Sequence, residues 1–128
     1  MVPLKTKDQR FFALGGLLSK ANVFFNQEGR NNMAKAYLVA VYSKIIDPEK
    51  LKIYGEGAGP AMNTNGAKPL ARGSNISRLE GIPPERAVIL EFESVEAAQK
   101  AYQSQEYQAA KDKFEGGVDR VLFVIEGV

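Results

Sequence analysis

The 128-residue sequence contains no cysteine, no histidine and no tryptophan. Without cysteine there is no disulfide, no thiolate nucleophile, no zinc ribbon and no iron–sulfur cluster. Without histidine the commonest metal ligand, the usual haem ligand and the usual general base near neutral pH are missing. We therefore expect the protein to use neither a metal nor a cofactor.

Long apolar runs and clusters of basic residues are also missing. The uninterrupted apolar stretches are far shorter than the roughly 18 residues that span a bilayer. The net charge is +2, and it comes from residues 1–32, which carry five basic and two acidic side chains against 12 and 13 in residues 33–128. Basic residues are not interleaved with aromatic ones, as they are in nucleic-acid-binding surfaces. These features predict a soluble, cytoplasmic protein with neither membrane nor nucleic acid as a partner.

The composition indicates one globular domain, at residues 33–128, preceded by an extension at residues 1–32. Apolar residues of the extension recur at helical spacing, which predicts an amphipathic helix on the domain or on a partner subunit, followed by a polar linker. Two other interpretations stay open. One is a secretory signal, poorly formed because Gly15 and Gly16 interrupt its apolar run, and the other is a natural start at Met33.

The predicted elements of the domain follow the order β-α-β-β-α-β. Strands are predicted at residues 35–42, 67–73, 86–93 and 120–126, with a possible extension of the second strand over 76–79. Pro69 confines that second strand to a sheet edge or a bulge. Asp47 and Pro48 predict the start of a helix that ends near Thr64, and further helices are predicted at 94–104 and 105–113. This order is that of the ferredoxin-like α+β fold, an antiparallel sheet with helices on one face.

Three of the predicted strands are apolar at consecutive positions, at residues 38–41, 87–90 and 121–125. Consecutive side chains of a strand point to opposite faces, so both faces of the sheet must be covered. The helices cover one face. The simplest cover for the other is the same face of a second copy, which predicts a homodimer with stacked sheets. The N-terminal helix is the rival cover.

Residues 34–128 also resemble a known family, domain of unknown function 1330, within the dimeric α+β barrel superfamily. The residues that carry the resemblance are Ala36-Tyr37, Asp47-Pro48-Glu49, Leu70-Ala71-Arg72-Gly73, Leu79-Glu80-Gly81, Arg86, Glu91-Phe92, Ser94, Glu96-Ala97-Ala98, the run from Tyr102 to Gln108, and Glu126-Gly127-Val128. Phe114 stands where members typically carry a basic residue. The resemblance implies the ferredoxin-like fold and a dimer. The wider superfamily includes cofactor-free monooxygenases, isomerases and haem enzymes.

Arg72 and Glu91 are the candidate catalytic residues. Phe92 suits the helix-covered core, so Glu91 is predicted to point into the space between stacked sheets. The second and third strands are neighbours in this topology, which places Arg72 opposite Glu91. In one interpretation Arg72 holds a substrate carboxylate or enolate and Glu91 is a base with a raised pKa. In the other, which is favoured, the two form an ion pair that fixes strand register.

The candidate substrate-binding residues are Tyr37, Tyr54, Arg86, Tyr102 and Tyr107. Their hydroxyl and guanidinium groups are hydrogen-bond donors, although tyrosines also serve as core residues with the hydroxyl at the rim. The leading hypothesis is a protein that binds a small organic molecule between sheet and helices, as a cofactor-free monooxygenase- or isomerase-like enzyme. The alternative is a non-catalytic dimeric binding or assembly module. A cavity on the order of a few hundred cubic ångströms beside Arg72 and Glu91 favours the first hypothesis, and a filled barrel with the two side chains paired favours the second.

Overall fold

The computed structural model describes residues 34–128, which form a four-stranded antiparallel sheet and three helices. In chain order the elements are β1 (Ala36–Ile45), α1 (Pro48–Thr64), β2 (Lys68–Gly73), β3 (Arg86–Phe92), α2 (Val95–Gln103), α3 (Gln105–Asp112) and β4 (Val118–Glu126). The strands lie in the order β2-β3-β1-β4. The predicted ferredoxin-like α+β fold is confirmed. The helix, linker and alternative start predicted for the N-terminal extension lie outside the described residues.

The local signals in the sequence set the ends of the helices. The Asp47 carboxylate accepts hydrogen bonds from the backbone N–H groups of Glu49 and Lys50, at 3.1 and 3.3 Å, and Pro48 occupies the first turn of α1. Gly66 follows the end of α1 at a φ of 94°, a conformation that glycine adopts without strain. Ser104 separates α2 from α3, because its hydroxyl donates to the Ala101 carbonyl and accepts from the Tyr107 N–H.

Strand β2 lies at the edge of the sheet, as Pro69 predicts, and its register against β3 shifts between Pro69 and Ala71. The predicted extension over residues 76–79 is wrong, because residues 74–85 form no strand. That segment contains Gly81 at a φ of 74° and the Pro83-Pro84 pair, neither of which suits a strand. It runs as an exposed loop from β2 to β3.

The sheet has two different faces. On the helix-covered face, the buried side chains Leu38, Ala40, Tyr42, Leu90 and Phe92 pack with residues of the three helices in one core. The opposite face, called the open face below, carries the side chains between them, namely Tyr37, Val39, Val41, Ala87, Ile89, Glu91, Val121, Phe123 and Ile125. Val121, Phe123 and Ile125 are 61%, 44% and 55% exposed. The sheet is thus apolar on both faces, as the strand patterns predict.

Candidate functional site

The strand register separates the two predicted catalytic residues. Glu91 pairs with Lys68, whereas Arg72 pairs with Val88. Val88 belongs to the helix-covered face and Glu91 to the open face, so Arg72 and Glu91 lie on opposite sides of the sheet. The prediction that they face each other is therefore wrong. The irregularity of β2 near Pro69 determines the pairing, and no residue pattern indicates how it shifts the register.

Glu91 has a partner on the open face. Its carboxylate accepts a hydrogen bond from the Tyr37 hydroxyl at 3.2 Å, and both side chains are half-buried. Glu91 was correctly predicted to point away from the helices. The structure places Tyr37 with Glu91, away from the other candidate tyrosines.

Arg72 borders a cavity of about 100 Å³ between α1 and the strands β2 and β3, called the α1 cavity below. Its lining is mostly apolar, and consists of Tyr54, Gly55, Ala58, Gly59, Met62, Asn63, Pro69, Arg72, Val88 and Leu90. Gly55 and Gly59 lie one turn apart on α1, and a Cβ atom built on either would meet no atom within 4 Å. The two glycines therefore leave room beside the helix.

Beside this cavity, three tyrosine hydroxyls surround the guanidinium of Arg120. The Nη1 atom of Arg120 donates to the Oη atoms of Tyr42 at 3.3 Å and Tyr54 at 3.1 Å, and the Nη2 atom donates to Tyr107 Oη at 3.0 Å. The hydroxyls of Tyr54 and Tyr107 are 2.8 Å apart and hydrogen-bonded to each other. These four residues are called the Arg120 cluster below. Tyr54 belongs to both the cluster and the lining of the α1 cavity.

The fold brings the cluster together from four elements. Tyr42 and Arg120 are cross-strand partners on β1 and β4, while Tyr54 and Tyr107 come from α1 and α3. The three tyrosines are each at most 9% exposed. Phe114 packs against the cluster. Its ring stacks on Tyr54 with centroids 4.1 Å apart, and the ring centroid lies 5.0 Å from the guanidinium carbon of Arg120. Aromatic faces of this kind stabilise a guanidinium by cation–π interaction.

No carboxylate within the described part of the chain forms an ion pair with Arg120. Within residues 34–128 the only ion pair closer than 4.0 Å joins Lys35 to Glu93 at 2.9 Å, on the surface. Arg86 adds a second cation on the other side of Tyr42, with its guanidinium carbon 6.0 Å from the Tyr42 ring. The Nε atom of Arg86 is buried and has no hydrogen-bond acceptor in the part of the chain that the structure describes. Buried polar groups nearly always have a partner, so an unpartnered one requires an explanation.

The Arg120 cluster has more donors than acceptors. A guanidinium carries five N–H hydrogens and each phenol carries one O–H hydrogen. Three N–H hydrogens reach the tyrosine oxygens, and one O–H hydrogen lies between Tyr54 and Tyr107. Two N–H and two O–H hydrogens are then left with no acceptor among the described residues. Such a group of donors, centred on a permanent cation, suits an anion or a carbonyl oxygen.

Burial raises the pKa of Tyr54 well above its usual range, and Tyr107 acts in the same direction, whereas Arg120 opposes the shift. Tyr54 thus keeps its hydroxyl proton in the folded protein at a pH of about 10, where the unfolded chain releases it. The resulting stabilisation is complete below that pH and is lost as the pH rises further.

We therefore expect the free energy of unfolding to fall more steeply above about pH 10 in the wild type than in Tyr54→Phe. The difference in slope is about 1.4 kcal/mol per pH unit, the contribution of one proton. Urea denaturation at several alkaline pH values measures both slopes. Equal slopes in the two proteins would contradict the buried, proton-retaining state of Tyr54.

The structure divides the predicted binding residues. Tyr54 and Tyr107 meet in the Arg120 cluster, Arg86 lies next to it, and Tyr37 is on the other face of the sheet. Tyr102 is half-buried and packs on Tyr107, with ring centroids 5.3 Å apart, beside a separate apolar cleft against β4. The prediction missed Arg120. The available signal was its spacing, because Arg120 alternates with Leu122 and Val124 and so shares their helix-covered face.

Residues 34–128 lack two further features that bear on function. That part of the chain has no group of three or more acidic side chains placed to hold a metal ion. It also has no helix with the length and apolar character needed to cross a membrane.

The family resemblance is confirmed by a sequence profile. The profile described as "Domain of unknown function (DUF1330)" matches residues 35–128. No curated protein is significantly similar to the chain.

Solved structures share the fold at low identity. A protein of unknown function from Rhodopseudomonas palustris is 19% identical with a TM-score of 0.61, and the match covers 76% of this chain and 85% of that one. SnoaB, a cofactor-independent oxygenase from Streptomyces nogalater, is 6% identical with a TM-score of 0.54, over 74% and 94% of the two chains. A dimeric ferredoxin-like protein of unknown function from Thermobifida fusca is 14% identical with a TM-score of 0.51, over 80% and 99%. At these identities the likeness shows the fold alone.

Proposed function

The chain belongs to the DUF1330 family, and we propose that it is a homodimeric protein that binds one small organic anion per subunit, between the sheet and α1. The observation that carries this proposal is the excess of hydrogen-bond donors in the Arg120 cluster. These donors surround a half-buried cation that has no carboxylate partner among residues 34–128, so an acceptor that occupies them gains hydrogen bonds to a charged group. A ligand oxygen that carries negative charge is the acceptor that fits best.

The α1 cavity is the proposed place for the body of the ligand. Apolar side chains such as Met62, Val88 and Leu90 form most of its wall, and Tyr54 connects it to the Arg120 cluster. Arg72 supplies a cation at the exposed rim. A mostly apolar pocket with a few convergent polar groups is the usual form of a small-molecule site.

The remaining candidate residues take supporting roles in this proposal. Arg86 adds positive charge beyond Tyr42, and Tyr107 donates to or accepts from Tyr54. Tyr102 packs against Tyr107. Tyr37 and Glu91 lie on the open face, and we assign them to the dimer interface rather than to the ligand.

The dimer is proposed through the open face. The apolar side chains of this face are exposed on β4 and half-buried on β1 and β3, which is unfavourable in water, and the same face of a second copy covers them symmetrically. The Thermobifida fusca protein with the same fold is described as dimeric, which supports this arrangement.

Two measurements test the proposal. Mass spectrometry after denaturation of the purified protein identifies any small acid that copurifies with it. Calorimetric titration with 4-nitrobenzoate, an aromatic carboxylate, measures binding directly, and we expect one site per subunit. A protein that binds no small organic anion in either measurement would not have the proposed function.

Arg72→Ala is expected to weaken 4-nitrobenzoate binding about fivefold and to leave the dimer intact. The effect is modest because Arg72 is exposed, where a charge pair contributes only about 1 kcal/mol. The dimer is unaffected because Arg72 is on the helix-covered side of the sheet. Calorimetry and light scattering measure the two properties. Arg78→Ala, which removes an exposed arginine of the loop between β2 and β3, is the control, and dissociation of Arg72→Ala would assign Arg72 to assembly instead.

A further inference from the structure

We infer that the natural ligand is a phenol or an enol, which this site binds as its oxyanion. The inference rests on the proposed function and specifies its ligand class. It follows from the hydrogen bonds of Tyr54, from the constant charge of Arg120 and from the mostly apolar lining of the α1 cavity.

The hydroxyl oxygen of Tyr54 is occupied as an acceptor. It receives the Nη1 N–H of Arg120 at 3.1 Å, and it lies 2.8 Å from the Tyr107 hydroxyl. When Tyr107 donates along that contact, the O–H hydrogen of Tyr54 has no acceptor among the described residues. Tyr54 also lines the α1 cavity, so a ligand oxygen there is the acceptor that this hydrogen lacks.

Arg120 makes Tyr54 a stronger donor. A hydroxyl that accepts a hydrogen bond from a cation, as Tyr54 does from Arg120, is polarised and donates more strongly in turn. Arg120 does not line the α1 cavity, so it acts on the ligand through Tyr54 as a positioning residue. The guanidinium stays charged at every physiological pH.

These features favour a ligand whose acid group gains charge on binding. A carboxylate is already ionised at neutral pH, and it needs both of its oxygens solvated or paired. Tyr54 offers a single O–H in a mostly apolar cavity with one cation at the rim, which suits a single ligand oxygen better than two. On binding, the ligand O–H bond breaks, the electron pair stays on the oxygen and the proton leaves to water. The oxyanion accepts from Tyr54 and faces Arg72.

The test uses 4-nitrophenol, which ionises near neutral pH and absorbs as a yellow dye only in its phenolate form. We expect the wild type to bind the phenolate at least tenfold more tightly than the phenol, which lowers the apparent pKa of the bound dye by about one unit. Tyr54→Phe should bind the two forms within about twofold of each other. Tyr37→Phe, which removes a phenol from the open face, should keep the wild-type preference.

The outcomes separate this inference from the proposed function. If 4-nitrobenzoate binds but the wild type shows no preference for the phenolate, the ligand class is wrong and the proposed binding function stands. If neither compound binds, both are wrong. A phenolate preference that survives in Tyr54→Phe overturns the role of Tyr54.

Discussion

Phe123→Glu is expected to convert the proposed homodimer into monomers at micromolar concentration. Phe123 lies on the open face, where it pairs with Val39 across the sheet, and 44% of its surface is exposed in a single subunit. In a symmetric dimer the substitution places two carboxylates in the contact between stacked sheets. Burying an unpaired charge there costs several kcal/mol for each subunit. Sedimentation equilibrium or light scattering measures the molecular mass.

A matched control exists on the opposite side of the molecule. Ile53 on α1 is 43% exposed, almost the same fraction as Phe123. Ile53→Glu therefore adds the same charge at an equally exposed apolar position and should leave the dimer intact. A wild-type protein that is monomeric at this concentration, or a Phe123→Glu variant that remains dimeric, would show that the open face is covered in another way.

Arg120→Met is expected to weaken the binding of 4-nitrobenzoate by roughly thirtyfold. The substitution keeps much of the side-chain length and apolar contact but removes the charge and the donors that polarise Tyr54. The hydrogen bond that Tyr54 accepts from the charged Arg120 contributes about 2 kcal/mol, and the loss of its effect on the Tyr54 donor corresponds to that change in Kd. The effect exceeds that of Arg72→Ala because Arg120 is more buried, and charges interact more strongly away from water. Calorimetric titration of the folded dimers measures it.

Arg120→Lys separates charge from geometry. An ammonium keeps the positive charge, but it cannot donate to three hydroxyls in the fixed pattern that the planar guanidinium allows. We expect an intermediate Kd for this variant. If Arg120→Met folds, remains dimeric and binds 4-nitrobenzoate as tightly as the wild type, the Arg120 cluster is a structural feature of the core and the proposed anion site is wrong.

The sequence predicted the fold well because its signals are local and periodic. Asp47 and Pro48 begin a helix wherever it lies in the fold, and apolar runs such as residues 121–125 identify strands that are apolar on both faces. The element order then leaves few topologies to choose from. The prediction that Glu91 faces away from the helices was correct for the same reason, since alternation along one strand needs no knowledge of its neighbours.

The candidate site was predicted less well, because it depends on how neighbouring strands align. A shift of a strand by one residue moves every side chain to the other face. Pro69 indicates an edge strand or a bulge, but it does not indicate how the register shifts between Pro69 and Ala71. Arg72 was therefore placed opposite Glu91. Arg120 was missed for another reason, since a charged residue at the predicted first position of a strand is usually solvated. Its partners Tyr42, Tyr54 and Tyr107 come together only in the folded chain.

The two glycines of α1 beside the cavity enlarge the cavity but lower the stability of the helix. Glycine within a helix is less stable than alanine by about 1 kcal/mol per position, and neither Gly55 nor Gly59 is forced to be glycine by a neighbour, because a methyl group on either would touch nothing. Alanine at both positions would make the helix more stable, but the α1 cavity would be smaller. If the ligand occupies that space, alanine at these two positions should stabilise the protein and restrict the range of ligands that it binds. Selection for stability would then oppose selection for a wide range of ligands.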